Sequence, residues 1–232
     1  LPWIEAMPFY APLSGDEQRQ LRDDTRVIVA EKNWEGCGGL DINDEIRVTI
    51  AAQAALLLLH IEHEYYRSAL SILVYPTVFE APMRSAGPGG MVQEGSSTVI
   101  GLAFHRGPVV LAWDCARHGA ENWQDGRNVV IHEFAHKLDM LDSYADGTPP
   151  LESREHHATW LRIMTEEYER LVEKTEKRRR TVMDKYGATH PAEFFAVATE
   201  TFFEKPRQLK KKRPELYELL RSYYRQDPVS RL

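Results

Sequence analysis

The sequence predicts an α+β fold, and three observations point there. Short runs of β-branched and aromatic residues fall between Ser71 and Trp113, whereas segments with a helical apolar period crowd the chain from about Asn122 onward. A chain of 232 residues with 43% hydrophobic content can bury one substantial core. We read residues 1–232 as a single domain, with N-terminal helices and strands over about 14–113 and a helical part over about 119–232.

The first expected helix runs from Asp16 to about Lys32, where Leu21, Val27 and Ile28 recur on one side of a charged segment. Gly36, Gly38 and Gly39 end that region, and a second helix starts near Asn43 or Asp44 and reaches about His60. Ile50, Ala51, Ala52, Ala54, Ala55 and the leucines from Leu56 make it apolar on nearly every side, which predicts burial. Ser71–Phe79 reads as a strand, with Pro76 suggesting an edge position or a bulge. A loop holding Gly87, Pro88, Gly89 and Gly90 follows, then strands over Thr98–Ala103 and Val109–Trp113. Helices are expected over about Asn122–Leu141, His156–Lys174, Pro191–Phe203 and Pro214–Tyr224.

A net charge of −6 gives no overall attraction to nucleic acid or an anionic membrane. The basic runs Arg178–Arg180 and Lys210–Arg213 read as solvated faces. The longest apolar stretch, Ala54–Leu59, is far short of the roughly 20 residues a spanning helix needs. Two cysteines, Cys37 and Cys115, build neither a disulfide framework nor a thiolate metal cluster, and a cytoplasmic setting is the simplest expectation. The chain starts at Leu1 rather than Met, which is compatible with a removed targeting segment.

The chemistry concentrates in His132-Glu133-Phe134-Ala135-His136. Residues four apart share one face of a helix, about 6 Å apart in rise, so His132 and His136 can offer two imidazole nitrogens to one zinc ion. Glu133 stands beside that ion as a general base for its water. Ile131, Phe134, Leu138 and Leu141 form an apolar stripe that packs on the core while the histidines face a cleft. A catalytic zinc site needs a third protein ligand. Glu193 is the candidate, but after His190 and Pro191 it also stands where a capping-box glutamate stands, and spacing leaves both roles open. Glu200, two turns on, is either a partner of a ligand histidine or, as spacing favours, an ordinary surface carboxylate. Asp139 and Asp142 share that ambiguity, and Lys137 reads as solvated. His60, His63, His105, His118, His156, His157 and His190 form no convincing ligand set.

Three separated blocks, Glu35–Leu59, Val129–Asp142 and His190–Phe203, resemble the Mlc titration factor A family of bacterial zinc metallopeptidases, whose metal core is similar to the catalytic domain of anthrax lethal factor. The resemblance implies a zincin-like domain: a small mixed sheet with an active-site helix and several packed helices. It further implies that His132, His136 and Glu193 bind one catalytic Zn2+ in a gluzincin-type arrangement, that Glu133 is the general base, and that Tyr186, seven residues before Glu193, donates to the oxyanion.

The expected function is zinc-dependent peptide hydrolysis by metal-activated water, aminopeptidase-like by resemblance, with a peptide or protein substrate lying along Val109–Trp113 as an edge strand. The alternative is a regulatory protein that sequesters a transcriptional repressor, with peptidase activity secondary. Neither reading includes direct contact with nucleic acid or a membrane.

Overall fold

The computed structural model describes residues 2–86, 92–103 and 107–232, with the backbone alone for 79–86 and 92–99. The helices are α1 (Pro2–Glu5), α2 (Gly15–Glu31), α3 (Asp44–Leu58), α4 (Trp113–Glu121), α5 (Val129–Asp139), α6 (Arg154–Glu176), α7 (Pro191–Glu204), α8 (Pro206–Lys212) and α9 (Pro214–Tyr224). The strands are β1 (Asn33–Gly36), β2 (Ser71–Tyr75), β3 (Phe79–Ala86), β4 (Val92–Val99), β5 (Gly101–Ala103) and β6 (Val109–Ala112). The fold is α+β, as expected. The expected loop residues Gly87–Gly90 and His105 lie outside the described residues.

Helix α2 starts on a reciprocal cap, in which the Ser14 hydroxyl accepts from Glu17 N and the Glu17 carboxylate accepts from Ser14 N. Asn43 caps α3 by accepting from Ile46 N at 3.0 Å. Every residue of α3 from Val48 to Leu58 is buried, the outcome its all-round apolar surface predicts. Helix α3 packs on α2, α4 and α5, so it lies between the N-terminal layer and the helix that bears the histidine pair. The buried apolar side chains form one contiguous cluster from Ile4 to Tyr224.

The mixed sheet has the order β1-β2-β6-β5. β1, β2 and β6 are parallel, and β5 runs antiparallel to β6. Two expectations fail here. β2 is an interior strand with a neighbour on each side, and Pro76 simply ends it, because a residue without an N–H cannot continue the ladder. Val109–Trp113 is not an edge strand: β6 lies between β2 and β5, and Trp113 already opens α4. The edge beside α5 is β5. The chain before it forms a separate β3–β4 hairpin, which the expected loop left out.

The expected helix from Asn122 to Leu141 is shorter at both ends. It starts at Val129, with Asn128 as its cap, and Leu141 lies beyond its end, 50% exposed, so only Ile131, Phe134 and Leu138 of the apolar stripe enter the core. Asn128 is almost completely buried. Its side chain accepts from Ile131 N at 3.0 Å and donates to Gln53 Oε1 at 2.8 Å and Gly119 O at 3.2 Å, joining α5 to α3 and α4. Asn128→Ala removes the cap, worth about 1 kcal/mol, and strips Gln53 Oε1 of its donor inside the core. Urea unfolding should show a loss of about 2–3 kcal/mol.

Candidate metal centre

Helix α5 carries His132, Glu133 and His136, and α7 crosses beside it carrying Glu193 and Glu200. Phe134 meets Tyr66 edge-on at 4.6 Å on the core side of α5, which turns the histidines toward α7. Helix α7 begins at Pro191, and His190 caps it by accepting from Ala192 N at 3.2 Å. With that cap supplied, the Glu193 carboxylate faces α5 instead.

Glu193 Oε2 lies 3.0 Å from His132 Nε2 and 3.4 Å from His136 Nε2, and the two imidazole nitrogens are 3.2 Å apart. A tetrahedral ion with bonds of about 2.0–2.1 Å holds its ligand atoms about 3.3 Å from one another. The three edges therefore fit one face of such a coordination shell. The rings stand nearly perpendicular, at 81°, and a fourth direction is left without a protein ligand in this group.

The hydrogen-bond pattern supports the same fit. His132 Nδ1 lies 2.8 Å from Glu200 Oε1, and a ring that donates its Nδ1–H to that carboxylate has its Nε2 lone pair available for a metal ion. Three electron-rich atoms converging in a largely buried place call for a cation or a proton. Burial opposes a charge on His132, but hydrogen bonds with Glu193 and Glu200 push its pKa well above the ordinary imidazole value. Burial likewise opposes the Glu193 charge, while His132 and His136 hold its carboxyl well below the usual range. A bound ion would take the place of that proton.

Glu200 is not a surface carboxylate. It is 6% exposed, and besides His132 it accepts from Asn128 N at 2.5 Å through Oε2. The spacing of two turns from Glu193 was the only signal for it; which face of α7 is covered depends on packing that spacing does not report. Lys137 is not solvated either: it is fully buried and donates to Gly107 O at 3.0 Å, and burial, partly offset by Glu133, lowers its ammonium to about 8. Asp139 is fully buried, whereas Asp142 is a surface residue whose Oδ1 accepts from Tyr144 N.

Glu133 is 5% exposed, and burial raises its pKa, with the flanking histidines pulling the other way. It lies against β5 so closely that a Cβ at Gly101 would come 2.5 Å from its Oε1, so glycine is required there. Tyr186 sits on a 3-10 turn, Lys185–Ala188, with its ring 6.0 Å from that of His132 and 55% of its surface exposed. Asp184 accepts from Tyr186 N at 2.9 Å and pairs with Arg127 at 2.7 Å, which ties this turn to the segment before α5. Burial, then Glu193 and Glu133, raise the Tyr186 pKa and keep the phenol protonated.

Residues 3–225 match the sequence family described as glucose-regulated metallo-peptidase M90. The chain belongs to that family. Among its relatives, an uncharacterised protein of Synechocystis is 40% identical over 97% of this chain and 82% of its own length. Proteins named Mlc titration factor A from Yersinia pestis and Yersinia pseudotuberculosis are 31% identical over 99% of this chain and 86% of theirs. Membership points to a metallopeptidase-like protein that works with a metal ion, and His132, His136 and Glu193 form a group that can hold one. Among the described residues no helix is long and apolar enough to cross a membrane.

Two further glutamates of α7 have measurable consequences. Glu200→Gln replaces an acceptor with a donor against either His132 Nδ1 or Asn128 N, and should weaken metal binding about 10–100-fold in a chelator competition. Glu204 Oε2 accepts from Gly126 N at 2.8 Å and Arg127 N at 3.1 Å, and burial pushes its carboxyl from 4.5 up to about 8. Between those values the folded form keeps a proton that the unfolded chain has released, so this group's contribution to stability falls as pH rises through that window. Glu204→Gln lacks the titration, and its urea midpoint should gain on the wild type from about pH 5 to about pH 8.

Proposed function

We propose that the protein is a zinc-dependent peptidase, with His132, His136 and Glu193 as the metal ligands and Glu133 as the general base. The observation that carries this reading is the triangle of Nε2, Nε2 and Oε2 atoms with edges of 3.0–3.4 Å, beside a buried glutamate that belongs to none of the three edges. Two imidazoles and one carboxylate suit zinc, and a bound zinc ion would polarise the scissile carbonyl and acidify the attacking water. Glu133 accepts the proton of that water and hands it to the leaving amine. Its raised pKa, from burial, suits a base that must also serve as an acid. The protonated Tyr186 phenol at the rim donates to the oxyanion of the tetrahedral intermediate.

An extended substrate pairs with the outer side of β5, the edge strand among the described residues and the one against which Glu133 lies. The reaction class is therefore peptide-bond hydrolysis, with aminopeptidase-like action on small peptides as its narrower form. One domain spanning the chain and a cytoplasmic location go with this reading; the continuous core supports the former. A second reading, regulation through a transcriptional repressor, is favoured by the name Mlc titration factor A carried by relatives that align over 99% of the chain.

Glu133→Gln separates them. The variant should retain one zinc per chain by atomic absorption and lose peptide cleavage by at least about 100-fold, while still retaining a repressor of the Mlc type in a pull-down. Unreduced turnover in the zinc-loaded variant would overturn the assignment of the base.

A further inference from the structure

His132 is oriented by Glu200, but the second imidazole of the pair has no comparable partner on α7. His136 is 7% exposed, and its Nδ1 is buried with no hydrogen-bond partner among the described residues. A second buried atom is equally unsatisfied: Asp139 Oδ1, three residues further along the same helix. Residues at i and i+3 share a helix face. With Nε2 given to a metal, the neutral His136 ring must carry its proton on Nδ1, which makes Nδ1 a donor. A buried donor and a buried acceptor, each costly to leave unmade, thus stand on one face of one helix turn.

We infer that Asp139 is the positioning carboxylate of the metal centre's second histidine, accepting the His136 Nδ1–H through Oδ1 by way of one buried water. The inference rests on the metal-site reading above and extends it. The other Asp139 oxygen has a different task. Oδ2 accepts from Gly147 N at 3.0 Å, and Gly147 O accepts from Trp160 Nε1 at 2.9 Å, which locks the loop after α5 against α6. Gly147 has φ +83°, and a Cβ there would come 2.5 Å from Pro191 O, so this loop lies directly on the first turn of α7, two residues before Glu193. One carboxylate therefore orients a ligand on α5 and, through the Gly147 contact, sets the register of the ligand on α7.

The test is Asp139→Asn. Asparagine keeps an oxygen for Gly147 N and turns an NH2 toward the bridging water, donor against donor. Wild type and variant are titrated with zinc against a chelator, and histidine Nδ1–H resonances are followed by NMR in the zinc-loaded wild type. We expect the variant's zinc dissociation constant to rise about 10–100-fold, and the wild type to show two slowly exchanging Nδ1–H signals, from His132 and His136. Equal zinc affinities, or a rapidly exchanging His136 Nδ1–H in the wild type, would overturn the inference and leave the metal site standing. A wild type that binds no zinc would overturn the metal site itself. If Asp139→Asn does not fold, the wild-type resonance decides alone.

Discussion

The Glu200 carboxylate is shared between two helix tasks. One oxygen lies within hydrogen-bond distance of His132 Nδ1, and the other accepts from the backbone N–H of Asn128, the residue that caps α5. Because Asn128 also reaches Gln53 on α3 and Gly119 on α4, the orientation of one imidazole is anchored, within two bonds of side-chain contact, to the centre of the core. A carboxylate on an exposed turn would leave that imidazole free to rotate. Buried between α5 and α7, it has one geometry available, and the tautomer follows.

The same segment before α5 is held three times over. Glu204, one turn beyond Glu200, takes the amides of Gly126 and Arg127, and Arg127 in turn holds Asp184 at the foot of the Tyr186 turn. Helix α7 thus grips three successive amides, at 126, 127 and 128, while its first turn sends Glu193 across to the histidines. The density of buried acid around the histidine pair has an electrostatic consequence. Glu133, Glu193 and Glu200 cluster where solvent is scarce, and a positive charge among them offsets part of their desolvation.

Much of this was legible along the chain. The i, i+4 histidines, the apolar stripe of Ile131, Phe134 and Leu138, the buried α3 and the Pro191 start of α7 all follow from local period and capping chemistry. Residue type alone places Lys137 and Glu200 at the surface and Pro76 and Val109–Trp113 at a sheet edge, whereas their roles depend on which neighbour covers them. A lysine that follows a histidine is solvated on an open helix, but here its ammonium is buried and donates to Gly107 O. β6 has the composition of an edge or an interior strand alike, and only the position of β5 settles which.

By itself the sequence determined which helix bears the imidazole pair, which helix starts two residues before Glu193, and that the chain mixes a small sheet with many helices, because helical period and caps act within a few residues. Only the tertiary structure decided that Glu193, 61 residues from His132, turns to the histidines rather than back to its own helix end, that Glu200 and Asp139 are buried beside α5, and that β5 is the edge above Glu133. Those outcomes depend on how α5, α7 and the sheet pack, and packing contacts carry no fixed sequence separation for a local pattern to reveal.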